Sequence, residues 1–300
     1  MKRLIIISIL LTLTGCAQSI ETNKEIDTPV IIDDDQTIRI GSFNIQIFGT
    51  TKASRPNTLT VLAKIASTYD VLAIQEVGSN GSTALESTCI AVMDAYVARI
   101  NELEGADEYA YVRGEQYAIV YRKAKIEMVS SSLYSGTSSF TYTPLTAYMR
   151  STTGNLDFAM VVIHTSPSYA ITEVPALIAA MTDVGMLYNE PDVICLGDYN
   201  ADGSYYDEGE GDALSAFNDY ITVIPNTTDT TVADSSNTYD RIQLSSTMTS
   251  DYATIYGVIR IGQEYDVSIC EGTTITAGTE SALSDHYPVW AELYIDRDTE

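Results

Sequence analysis

The feature that most constrains this chain is a set of short, strongly apolar runs that stop at polar residues able to do chemistry. In "VICLGDYN" (193–200), Val193 to Leu196 suit a buried strand, and Asp198 and Asn200 follow at once. "IRIGSFN" ends at Asn44, "VLAIQE" at Glu76 and "FAMVVIH" at His164, while "DRIQL" opens at Asp240 and "SDHYPVW" carries Asp285 and His286. Gly, Asp and Asn are ordinary turn residues, so any one such ending could be a bland loop. Many of them together fit the α/β pattern, in which ligand sites collect at the ends of sheet strands.

Between these runs the period changes. "RPNTLTVLAKIASTYD" (55–70) places Leu59, Leu62, Ala63 and Ile65 at helical spacing, and further helices are expected over 83–103 and near 172–188. Strands are expected from Thr37, at 71–77, 109–113, 117–122, 126–133, 145–150, 156–164 and 192–197, with short ones near 241–245 and 287–294. Helices alternating with strands, some strands being direct neighbours, point to one α/β domain with large mixed sheets over 37–295, followed by a tail at 296–300. With 45% apolar and 19% charged residues over 300 positions, the chain can bury a sizeable core.

The charge balance is 16 basic against 41 acidic residues, formally −25. That excludes the basic footprint of a general nucleic-acid binder. An anionic substrate would need metal ions and a local exception to the overall field.

At the N-terminus, Lys2 and Arg3 precede an apolar run from Leu4 to Leu13, too short to span a bilayer comfortably and shaped like an export signal. "LTGC" (13–16) resembles a bacterial lipobox, which implies a signal over 1–15, lipidation of Cys16 and anchoring at the outer cell surface or periplasmic face. Residues 16–36 are polar and acidic and read as a tether. Cys89, Cys195 and Cys270 would then remain, enough for at most one disulfide, with Cys195 expected as a small buried hydrophobe and no zinc-site spacing.

The chain has two histidines, His164 and His286. A lone histidine is more often structural. Two of them, with carboxylates and amides at strand ends and no candidate Ser or Cys nucleophile, suggest metal-assisted hydrolysis.

Asn44 in "SFNIQIFG", Glu76 in "IQEV", Glu115 in "EQYAIVYRK", His164 in "IHTSPS", "GDYNADGSY" (197–205), "YDRI" (239–242) and "SDHYPV" (284–289) resemble the endonuclease/exonuclease/phosphatase superfamily, in this order along the chain. "HTSPS" and "NADGSY" are similar more narrowly to the deoxyribonuclease I group. The resemblance implies a four-layer α/β sandwich with two facing mixed sheets and metal-dependent phosphodiester cleavage at their edge. It implies that Glu76 and Asp285 bind Mg²⁺ or Mn²⁺ with Asn44 close by, and that Asp198 and Asn200 orient water and contact phosphate. It further implies that Glu115 holds His164 and Asp240 holds His286. The two imidazoles would share general acid and base duties, His286 being placed on the attacking side and His164 by the leaving group, with the reverse left open. Asp285 and His286 are adjacent, so both can face one site only outside regular strand geometry.

"DTTVADS" (229–235) resembles a calcium loop of the same enzymes, with Asp229 and Thr231 as ligands; a solvated turn is the plainer reading. The resemblance weakens at the groove contacts. Gly78 and Tyr142-Thr143 stand where the group has charged residues, and Arg113 stands where it has Tyr. Weaker duplex binding and a changed strand preference are therefore expected. Gly203 and Asn237 stand at the two halves of a disulfide of the animal enzymes. The expected whole is a monomeric, lipid-anchored, exported endonuclease acting on DNA, with RNA open as a substrate. The alternatives are a phospholipid or inositol-phosphate phosphoesterase and a surface module that binds without turnover.

Overall fold

Side-chain parity builds the layers. In the computed structural model, which describes residues 35–78, 85–206, 214–272 and 277–299, β1 (Thr37–Phe48) sends Ile38 and Ile40 to one face and Phe43 and Ile45 to the other. Strands β2 (Val71–Val77), β3 (Tyr109–Gly114) and β4 (Tyr117–Arg122) follow, then β5 (Ile126–Leu133), β6 (Leu145–Ser151), β7 (Asp157–His164) and β8 (Val193–Asp198). The last are β9 (Ile221–Thr222), β10 (Asp240–Leu244), β11 (Tyr252–Val258) and β12 (Val289–Tyr294). Helices are α1 (Thr50–Ala53), α2 (Pro56–Ala66), α3 (Glu86–Glu104), α4 (Ala170–Tyr188) and α5 (Ile261–Glu264). The expected export signal, Cys16 and nearly all of the tether lie outside the described residues.

Two six-stranded sheets result, in the orders β11-β12-β1-β2-β4-β3 and β5-β6-β7-β8-β10-β9. Each contains one parallel pair, β1 with β2 and β7 with β8, so both are mixed. Ile38, Ile40, Val71, Ala73 and Ile119 of the first sheet meet Met160, Val162, Ile194, Leu196 and Ile242 of the second in a dry middle layer. The outer face of the first sheet is covered by α2 and α3 through Leu62, Ile65, Met93 and Tyr96. The second is covered by α4 through Val174, Leu177, Met181 and Val184. This is the expected four-layer sandwich.

The long elements lie close to their expected bounds. Strands β9 and β11 were not foreseen. In β11, Thr254 takes a left-handed backbone (φ 57°) and the register against β12 shifts between Tyr252 and Tyr256, which breaks the alternation that would mark a strand. Cys89, Cys195 and Cys270 are all buried and free, so no disulfide forms among them.

Parity also says what stands at the ends. The inter-sheet columns are Ile38-Ile40 in β1, Met160-Val162 in β7, Ile194-Leu196 in β8 and Ile242-Leu244 in β10. Extended by even steps, they lead to Asn44, His164, Asp198 and Asp240 at one pole of the sandwich. At the other pole, Asp157 opens β7 and Asp192 precedes β8, beside Glu190, Asp251 and Asp298. Burial first, then Asp157 and Asp192, pushes the Glu190 carboxyl up to about 8; burial, with Asp192 and Asp298, pushes Asp251 up to about 7.

The folded form therefore keeps protons that the unfolded chain sheds near pH 4 to 5. These groups favour folding most strongly in acid, and the gain is lost as pH rises through 7 and 8. Thermal melts should show Tm falling between about pH 5.5 and 8.5. Substituting Glu190→Gln together with Asp251→Asn should flatten that fall.

Candidate active site

Strand register sets the centre of the site. His164 of β7 is paired with Asp198 of β8, and Asp198 with Asp240 of β10, so the three lie in one row across adjacent strands. The close approach needs Gly197, whose φ is 145° and where a Cβ would stand 1.8 Å from the Ile163 carbonyl oxygen. Asp198 and Asp240 are 1% and 0% exposed. Two buried carboxylates side by side repel unless a cation intervenes.

His286 is that cation. Its Nδ1 is 2.8 Å from Asp240 Oδ2, and its Nε2 lies 3.5 Å from Asp198 Oδ2. Burial alone would lower the pKa of this imidazole, but Asp240 and Asp198 outweigh burial and hold it well above the usual histidine value. His164 Nε2 lies 3.5 Å from the same Asp198 Oδ2, and Asn44 Nδ2 donates to that oxygen at 3.0 Å. Asp198 thus joins both imidazoles and the amide at one atom.

The adjacency of Asp285 and His286 is resolved as required. Both precede β12 in an irregular segment, with His286 making an isolated antiparallel bridge to Thr231. Ser284 Oγ donates to the Asn44 carbonyl at 2.6 Å and accepts from His286 N–H at 3.0 Å, tying this segment to β1. The Asn200 side chain donates to the Thr165 carbonyl at 2.9 Å, and its own N–H donates to Asp198 Oδ1 at 2.9 Å. β8 has ended by then, and Asn200 sits at φ 46° rather than continuing the strand face.

Glu76 and Asp285 form a second focus. Glu76 Oε2 accepts from Ile47 N–H at 2.7 Å, and Asp285 Oδ2 accepts from Gln46 Nε2 at 2.7 Å. Burial, together with the charges of Glu76 and Asp198, raises the Asp285 carboxyl. Asn44 Oδ1 is buried and has no hydrogen-bond partner. Lys52 donates to the carbonyls of Gln46 and Leu283, and burial, partly offset by Asp285 and Glu76, pushes its amine down to about 8.

Two carboxylates and an orphaned amide oxygen suit a hard divalent cation that keeps several of its waters. Among the described residues, no three His, Cys, Asp or Glu side chains form a metal cage of their own. Ile47, Glu76, Glu115 and Asn200 all have positive φ, a strain of about 1–3 kcal/mol each that the surrounding packing holds in place.

Several expectations are corrected. Glu115 does not support His164: its exposed carboxylate accepts from Thr143 N–H at 2.9 Å, and His164 Nδ1 is buried without a partner. His164 is held instead at its backbone N–H by the Tyr117 hydroxyl, 3.0 Å away, and its ring is stacked on that of Tyr142 at 5.8 Å and 28°. Asp229 is not arranged for calcium. One oxygen accepts from the N–H and hydroxyl of Thr231 and from Asn237 N–H, and the other pairs with Arg260 at 3.2 Å, so an arginine supplies the cation in that loop. Arg113 adds no free charge, being paired with Glu86. Gly78 has φ 71° and no room for a side chain, a Cβ there meeting Cys89 Sγ at 2.5 Å. Gly203 and Asn237 do face each other, a Cβ at 203 falling 2.7 Å from Asn237 Oδ1.

A sequence model of the endonuclease/exonuclease/phosphatase family matches residues 41–286, from just before Asn44 to the last histidine. The chain belongs to this family. Deoxyribonuclease-1 of Oryctolagus cuniculus is 28% identical over 275 residues, covering 86% of this chain and 92% of that enzyme. Deoxyribonuclease-1 of Rattus norvegicus is 29% identical over 270 residues, covering 86% and 92%. A crystal structure of an endonuclease/exonuclease/phosphatase family protein from Bacteroides thetaiotaomicron shares the fold with a TM-score of 0.56 at 15% identity, covering 87% of this chain and 98% of that one.

Sequence reading did not single out Gln46, Lys52, Tyr117 or Thr230 in this member of the family. Thr230 Oγ1 accepts the N–H of both Tyr239 and Asp240 and so fixes the start of β10. Gln46, Lys52 and Tyr117 act through contacts distant in sequence and Thr230 across its own loop, and none carries a local spacing signal.

In the metal-free protein, the His286 imidazole should stay protonated above pH 7 by NMR titration. Asp240→Asn should bring it down toward about 6.5. The cationic form stabilises the fold fully below that unfolded-state value. Its contribution is lost as pH rises through the higher folded-state value, so the stability deficit of the Asn variant should be largest at and below about pH 6.5 and shrink as pH rises beyond it.

Proposed function

We propose that this protein is a divalent-metal-dependent endonuclease that hydrolyses phosphodiester bonds in DNA. The observation that carries the reading is the joining of two imidazoles and an amide at Asp198 Oδ2, with a second carboxylate, Asp240, behind one imidazole only. Relatives named deoxyribonuclease-1, aligned over nearly their whole length, support nucleic acid as the substrate class.

Phosphodiester hydrolysis needs a water activated for in-line attack, stabilisation of an anionic transition state and a proton for the departing oxygen. Glu76, Asp285 and the free amide oxygen of Asn44 would hold a divalent ion, Mg²⁺ or Mn²⁺. Such an ion supplies positive charge against the phosphate oxygens. The protein's own groups supply the rest. His286, kept cationic by Asp240 and Asp198, is a proton donor and a source of positive charge at the phosphate. His164, whose Nδ1 is buried without a partner and whose Nε2 faces Asp198, is the candidate base on the other side of the phosphate. This reverses the placement taken from the resemblance. The Asn200 N–H and Asn44 Nδ2 orient Asp198 by donating to it, and the Asn200 side-chain amide, steadied by the Thr165 carbonyl, would contact the reacting phosphate.

The N-terminal signal-like run and Leu13–Cys16 support export and lipid anchoring as part of the same proposal. β1 runs from Thr37 toward Asn44, so a tether ending at residue 36 enters at the pole away from the site. An anchor there would leave the cleft facing outward.

Plasmid nicking by the fragment starting at Ala17 should require Mg²⁺ or Mn²⁺ and stop with chelator. His286→Ala should lower kcat/KM by about 10²- to 10⁴-fold. Asn44→Ala should raise the metal concentration giving half-maximal rate by about tenfold or more. A folded protein that nicks nothing at low salt would overturn this reading in favour of a phospholipid or inositol-phosphate ester.

A further inference from the structure

The residues around the two imidazoles are aromatic where a duplex-gripping enzyme needs free cations. Affinity for duplex DNA comes largely from Lys and Arg neutralising phosphates along the backbone. In this chain Arg113 is paired with Glu86, Lys52 is tied to two carbonyls, and position 78 has no room for a side chain. Tyrosines line the cleft, Tyr142 at a position where the resemblance has a charged residue and Tyr205 and Tyr239 within motifs that match it. Tyr142 is stacked on His164 and is still 37% exposed. Tyr239 lies beside His286 at 6.1 Å, and Tyr205, 46% exposed, packs against Tyr239 at 5.6 Å and 36°. Phenol rings therefore flank both ends of the row His164–Asp198–His286.

A base within a duplex already has stacked neighbours on both faces, whereas an unpaired base is free to stack on an aromatic side chain. Each such contact contributes substantially to single-strand binding and tolerates any sequence. We propose that Tyr142 on one side and the Tyr205–Tyr239 pair on the other are stacking platforms for unpaired bases flanking the cleaved phosphate, so that single-stranded DNA is preferred to duplex. This rests on the nuclease reading above and names its substrate more narrowly. Because stacking is only weakly electrostatic, it also lets a chain of formal charge −25 hold a polyanion without a basic groove.

The test compares kcat/KM on a labelled single-stranded oligonucleotide and on the same sequence folded into a hairpin duplex, with Mg²⁺, at two salt concentrations. The proteins are wild type, Tyr142→Ala, Tyr142→Phe and Tyr205→Ala. Wild type should favour the single strand by about tenfold or more, with a shallow salt dependence. Tyr142→Ala should lower single-strand kcat/KM about tenfold further than duplex kcat/KM, any loss through His164 being common to both, and Tyr142→Phe should keep the ratio. Tyr205→Ala should act in the same direction as Tyr142→Ala. Equal rates on the two forms in wild type would remove the inference and leave the nuclease reading standing. A Tyr142→Ala loss that is the same on both would also overturn it, showing that the ring only supports His164. No cleavage of either form would overturn both.

Discussion

Two buried carboxylates held side by side by strand register, with one imidazolium across them, are the constraint on which this pole of the molecule depends. Asp198 and Asp240 face each other between β8 and β10 because both continue inter-sheet apolar columns, and no local choice of side chain can separate them. Unpaired, two such charges in a dry interior would cost far more than the domain can tolerate. His286 makes the arrangement stable, and much of the neighbouring chain serves to keep it there. Ser284 binds its N–H, the 229–237 loop bridges to it through Thr231, and Thr230 caps the start of β10. Arg260 neutralises Asp229, one of the two carboxylates of that loop.

The two histidines are consequently unequal. His286 has a carboxylate at Nδ1 and another near Nε2, and both favour its charged form. His164 shares only Asp198 and is positioned by the Tyr117 hydroxyl and the ring of Tyr142. A site that must both give and accept a proton near neutral pH benefits from such a split, because one group cannot be poised for both. The pairing of each histidine with its own carboxylate, expected from the resemblance, would have given two similar imidazoles.

Much of the architecture was legible because parity is a strict rule. Once "VICLGD", "FAMVVIH" and "IRIGSFN" are read as strands with one face between sheets, Asp198, His164 and Asn44 must emerge at the same edge. What stayed hidden depends on partners far along the chain. Arg113 reads as an added positive charge until Glu86, at the start of α3, reaches it; Asp229 reads as a ligand until Arg260, after β11, occupies it. Glu115 stands at the right place in its motif. Its left-handed backbone at φ 44° accompanies a carboxylate bound to Thr143 N–H rather than to the ring. Gly78 is a deeper case: its positive φ and contact with Cys89 explain why no charged residue can stand there, which sequence alone presents merely as an absence.

The overall charge then ceases to be a paradox. Exposed charges beyond about 8 Å are largely screened at physiological salt, so a phosphate at the cleft responds mainly to its immediate neighbours. Those neighbours are an imidazolium, two amide donors and the carboxylates that suit a divalent ion, and such an ion would offset most of the negative charge at the cleft. The acidic remainder of the surface acts at longer range, where it opposes approach of any polyanion at low salt and fades as salt rises. A basic groove works the other way, losing affinity as salt is added. The proposed use of stacked tyrosines in place of groove cations would exchange strength at low ionic strength for steadiness at high.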